Sequence, residues 1–147
     1  MKKTIKRLIT AVLTIATMLV FIGCTNGGKQ GEIKDEPMRI ISATPSVTEL
    51  IYALGKGDQL VGRSDYCNYP AETNQVPSIG SLSEPSVEKI LELQPDIVFA
   101  SAHFKEDIAK KLEVLGTQIV VIQNAEDFNG SYDTIIKVGE VIHAKAL

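Results

Sequence analysis

The chain is 147 residues long with a formal net charge of −3, 44% hydrophobic and 22% charged. That balance fits a globular fold and excludes a low-complexity chain or a strongly basic nucleic-acid binder. Aromatic residues make up only 5%, with no Trp, which argues against a base-stacking platform.

Lys2, Lys3, Lys6 and Arg7 open the chain, and Leu8–Ile22 follows as 15 residues without a charge. A membrane-spanning helix needs about 20 apolar residues, so this run better suits the core of a signal peptide. It closes on Phe21-Ile22-Gly23-Cys24, which resembles a bacterial lipobox with Cys24 as the lipidated first residue of the mature chain. A plain signal peptide and an uncleaved anchor are the competing readings. Removing residues 1–23 leaves 124 residues carrying 11 basic and 18 acidic side chains, a charge of −7. So acidic a chain seeks neither nucleic acid nor anionic head groups by charge. The expected location is the extracytoplasmic face of the cell membrane, held there by the lipid on Cys24. Cys67 is then the remaining free thiol, and no internal disulfide forms.

Residues 24–38 read as a tether. TNGGKQGEIKDEPM has three Gly, several charges and no apolar periodicity, and such a coil spans about 20 Å. Beyond it, apolar runs alternate with amphipathic segments. Arg39–Ala43 is a β-branched strand. Val47, Leu50, Ile51 and Leu54 fall at helical spacing, starting either at a Ser46–Glu49 capping box or at Thr44-Pro45, and Gly55 and Gly57 end that helix. A strand near 60–63 leads into the turn-rich SDYCNYP. Glu84-Pro85 opens a helix with Val87, Ile90 and Leu91, which Pro95 ends. A strand at 97–100, a helix with Ile108, Leu112 and Leu115, a strand at 119–122 and a helix with Tyr132, Ile135, Ile136 and Ile142 complete the pattern.

Apolar strands separated by helices predict an α/β fold, a Rossmann-like three-layer sandwich around a four-stranded, mainly parallel sheet. Ligands bind such sheets at the carboxyl ends of the strands. The loops to watch are therefore Thr44–Ser46, Ser64–Tyr69, Ser101–His103 and Gln123–Asp127.

Catalytic signatures are missing. There is no GxGxxG after the first strand, no GxxxxGK[ST] and no GxSxG. His103 and His143 lie far apart without a nearby Cys, so zinc would depend on carboxylates, and no metal site is expected. Cys67 has no basic neighbour in sequence and reads as a buried, inert thiol. His103, after a strand on the ligand side, either meets an anionic ligand or metal centre or is an ordinary loop residue. His143 suits a helix carboxyl end. Tyr66 and Tyr69 offer flat apolar area with a hydroxyl, fit for a large ring-bearing ligand or for packing on their own loop.

RIISATPSVTELIYALGKGDQLVGRSDYCNYP, and then PSIGSLSEPSVEKILELQPDIVFAS, resemble the substrate-binding lipoproteins of ABC importers for cobalamin, haem and ferric siderophores. The resemblance implies a two-lobed binding protein, not an enzyme, without a resident cofactor. Its partners would be a permease dimer with its ATPase, and its small-molecule cargo a corrinoid first, a haem or ferric siderophore otherwise. It implies that Thr44, Pro45 and Ser46 floor the cleft, that Tyr66 faces ligand and that Glu88 docks the permease; His103 joins the ligand-binding candidates by its place after a strand on that side. Residues 39–147 then form an amino-terminal lobe, either a fragment, an interrupted reading frame or a chain completed by a second one. A small membrane-tethered α/β enzyme or regulatory domain is the reading from another class.

Overall fold

The computed structural model describes residues Pro37–Ala144. The expected signal peptide, Cys24 and nearly all of the tether lie outside the described residues. The elements are β1 (Ile40–Ser42), α1 (Pro45–Ala53), β2 (Leu60–Arg63), α2 (Val87–Glu92), β3 (Ile97–Ser101), α3 (Glu106–Val114), β4 (Gln118–Ile122) and α4 (Phe128–Val141). Short 3-10 turns lie at Gly57–Gln59 and Ala71–Gln75. All strand pairs are parallel, in the order β2-β1-β3-β4.

Side chains alternate across a strand, so each apolar run feeds two cores. Ile40, Phe99, Val120 and Ile122 pack with Val47 and Ile51 of α1 and with Val138 of α4. Ile41 and Val98 point the other way, onto Ile90 of α2 and Ile108 and Leu112 of α3. The result is a sheet covered on both faces, as the uninterrupted apolar strands require.

The β1–β2 register shifts between Ile40 and Ile41, so that Ile41 stands opposite Gly62. A Cβ at Gly62 would lie 2.8 Å from Leu93 Cδ1 and 3.0 Å from Ile41 Cγ1. Glycine is required there by close packing.

The structure selects one of the two starts that the sequence leaves open for α1, moves the start of α2, and leaves part of the expected apolar stripes exposed. Helix α1 starts at Pro45 with Thr44 as N-cap residue, not through a Ser46–Glu49 capping box. Proline's fixed φ suits the first helical position, and its missing N–H costs nothing there. Helix α2 starts at Val87, not at Glu84-Pro85. Pro85 forms an isolated bridge with Gly80, the Ser86 N–H donates to Ile79 O at 2.7 Å, and the Ser86 hydroxyl caps the Lys89 N–H. Leu91 and Leu115 lie outside the core, and α4 buries Val138 with Ile142 beyond its end while Tyr132 and Ile136 face out. Asp127 caps α4 by accepting the Gly130 N–H at 2.7 Å.

Candidate functional site

In an all-parallel sheet the carboxyl ends of all strands share one edge, and four loops leave it here. The first is held from beneath. Ser42 Oγ donates to Thr44 O at 2.9 Å, and Thr48 Oγ1 donates to Ser42 Oγ at 2.9 Å. Thr44 is buried, with its hydroxyl lacking a hydrogen-bond partner, whereas Pro45 and Ser46 are exposed at the start of α1.

The second loop, after β2, is pinned at two points. The Ser64 N–H donates to Ser42 O at 3.0 Å, and the buried Cys67 thiol lies 3.2 Å from Ser64 Oγ and 3.7 Å from Ser42 O. Arg63 gathers the far side: Nε donates to the carbonyls of Thr73 (2.9 Å) and Val76 (3.2 Å), and Nη1 to that of Ser64 (3.0 Å). Between these anchors Asp65, Tyr66, Asn68 and Tyr69 point outward. Tyr66 is 64% exposed and Tyr69 66%, so the loop displays two phenol rings from a fixed base. A ring held this way presents contact area without first having to be ordered.

His103 stands exposed on the turn after β3, its N–H donating to Ser101 Oγ at 3.2 Å. Glu88 is exposed in the first turn of α2 and makes no ion pair among the described residues. A carboxylate at that position is stabilised by the helix dipole alone. Among the described residues no group of three or more His, Cys, Asp or Glu is placed to hold a metal ion. No helix among them is long and apolar enough to cross a membrane.

An opening lies between α1 and the first half of α4. The two helices approach at Leu54 and Gly139, and a cavity of about 600 Å³ opens beside that contact. Ser46, Glu49, Leu50 and Ala53 of α1 form one wall, and Ser131, Thr134 and Ile135 of α4 the other. Ile122, Gln123, Asn124 and Ala125, leaving the sheet edge, close the end. Of the residues expected in the site, Ser46 lines this cavity. Tyr66 and His103 stand on separate loops and do not. The wall from α4 escaped sequence reasoning, although Ser131 and Thr134, three residues apart on one helix, share a face.

The family described as Periplasmic binding protein matches residues 40–146. An ABC transporter substrate-binding lipoprotein of Bacillus subtilis, YvrC, is 38% identical over 111 residues, which are 74% of this chain and 35% of that one. A vitamin B12-binding protein of Yersinia pestis is 45% identical over 62 residues, 42% of this chain and 22% of its own. A solved periplasmic heme binding protein from Pseudomonas aeruginosa superposes with a TM-score of 0.70 at 28% identity, over 74% of this chain and 39% of that one. The chain thus spans 22–39% of the length of these relatives. By its doubly covered parallel sheet and by a match that runs from β1 past the end of α4, the chain belongs to the periplasmic binding protein family.

Proposed function

We propose that this chain is a ligand-contacting lobe of an extracytoplasmic solute-binding subunit that serves an ABC importer. Its cargo is a bulky metal chelate of the corrinoid, haem or ferric-siderophore class. The observation that carries this reading is the carboxyl edge itself, where the anchored Tyr66 and Tyr69 rings stand on the same edge as a cavity of about 600 Å³. Aromatic faces supply apolar contact for a flat macrocycle, and the exposed loops leave room for it. The names of the relatives, a lipoprotein of this class, a vitamin B12-binding protein and a heme binding protein, support the same class of cargo.

In this reading Thr44, Pro45, Ser46, Tyr66 and His103 belong to the ligand side. Glu88 meets the permease dimer that the ATPase drives, and Cys24 carries the lipid. Ultraviolet–visible difference titration with cyanocobalamin, haemin and a ferric hydroxamate, of the chain and of a protein carrying both lobes, tests the capture role. A saturable change with at least one is expected, and none with all three refutes it. Anchoring is tested separately: Cys24→Ser should move the protein from the membrane fraction or leave it unprocessed, and unchanged fractionation and mass would remove the lipid.

A further inference from the structure

The lining of the cavity between α1 and α4 is mostly apolar in area, and its polar groups are nearly all uncharged. Ser46, Gln123, Asn124, Ser131 and Thr134 each bring a hydroxyl or carboxamide, set against aliphatic wall, and Glu49 is the one ionisable side chain among them. Among the described residues no lysine or arginine lines it. Around it, Asp65 after β2 and Glu126 after β4 are exposed, and the nearby Lys137 of α4 spends its ammonium on Val121 O at 3.0 Å. Lys105, a few residues beyond β3, is already paired with Glu84 at 3.5 Å.

Hydroxyls and carboxamides both donate and accept, so they match a partner that does the same. A ligand carboxylate entering this cavity would lose water, find no cation and meet Glu49, each of which is unfavourable. We infer that the cavity receives an uncharged, carboxamide-bearing ligand surface, and that Glu49 makes the site reject ligands carrying carboxylates at that position. The inference rests on the capture role proposed above and narrows it, favouring corrinoids with amide peripheries over porphyrins with propionates.

The test uses two ligands that differ only in charge: cyanocobalamin and its monocarboxylic acids, made by hydrolysing single peripheral amides. Both are titrated into the same protein at one fixed pH. At low salt at least one acid isomer should bind about tenfold more weakly than the amide, and the gap should shrink as salt screens the repulsion. Glu49→Gln should narrow that gap, and Asn124→Asp, which adds a carboxylate to the lining, should widen it. Because both positions are exposed, neither substitution threatens folding.

Equal affinities for the amide and every acid isomer, or a gap that neither variant moves, overturn the inference. Binding of haemin without binding of cyanocobalamin also overturns it, yet leaves the capture role standing. Failure of every chelate to bind removes both.

Discussion

Replacing Arg63 by Met keeps most of the side chain's apolar length and removes the guanidinium. The carbonyls of Ser64, Thr73 and Val76 then lose the guanidinium as donor, while those of Ser64 and Thr73 keep the N–H groups of Cys67 and Val76. Because Nε is shared between Thr73 and Val76, the loss amounts to two hydrogen bonds from a charged group. Such bonds contribute about 1.5–3 kcal/mol each, and Arg63 is half-buried, so water replaces part of what is lost. The expected destabilisation is about 2–4 kcal/mol, or roughly 8–16 °C in Tm at about 4 °C per kcal/mol for a domain of this size. The damage should be local first. Amide exchange at Cys67, Thr73 and Val76, whose N–H groups bond within the loop, should quicken more than exchange at Val98 or Phe99 in the sheet. Thermal unfolding and residue-resolved hydrogen exchange measure both. A Tm within about 1 °C of the wild type, or unchanged exchange in the loop, would show that the loop does not depend on Arg63.

Gly62→Ala places a methyl against Leu93, Ile41 and Ile79 and should cost about 1–3 kcal/mol in urea unfolding; a neutral result would mean that β2 shifts freely against β1. Tyr66→Ala, in a protein carrying both lobes, should weaken chelate binding by about 0.5–1.5 kcal/mol beyond lost area. Unchanged affinity for corrinoid and iron chelate alike would take Tyr66 out of the ligand side. Glu88→Ala should lower transport and its salt dependence while leaving solute affinity intact, as measured by uptake beside equilibrium titration. A loss of solute affinity equal to the loss of transport would place Glu88 in the ligand site.

The strands were readable because a parallel sheet covered on both faces wants apolar residues at nearly every position, as RIISA and IVFA show, and IVVI follows the pattern although Val121 of the edge strand β4 is exposed. Helices were readable as helices, but not always by their buried side. In α4 the apolar spacing of Tyr132, Ile135, Ile136 and Ile142 is genuine, yet of these only Ile142 is fully buried, beside Val138, which the spacing did not single out. Periodicity identifies a stripe, while the angle at which α4 crosses the sheet decides which part of it is buried. The start of α2 was misplaced because Pro85 looks like a first helical residue. Its bridge to Gly80 is a contact with the preceding loop that local propensity does not encode. The cavity was least legible of all: Ser46 and Thr134 stand 88 residues apart, and the space between them exists only once α1 and α4 lie side by side.

The strand order also bears on how the chain reaches its folded state. Paired residues of β1 and β2, such as Ile40 and Leu60, are 20 residues apart, and those of β3 and β4, such as Ile97 and Gln118, are 21 apart. The central pair, Ile40 with Ile97, spans 57 residues. Closing the longer loop costs only about 1 kcal/mol more by chain statistics, but it must bring together two strands whose own neighbours lie outward. The sheet therefore divides into two local βαβ units joined along a single seam between β1 and β3. Each unit can close early, and the search that remains is the meeting of the halves. Relative contact order is raised chiefly by that seam, so it sets the pace of folding. Substitutions at Ile40, Ile41 or Val98 should slow folding itself, whereas those at the outer strands should mainly hasten unfolding.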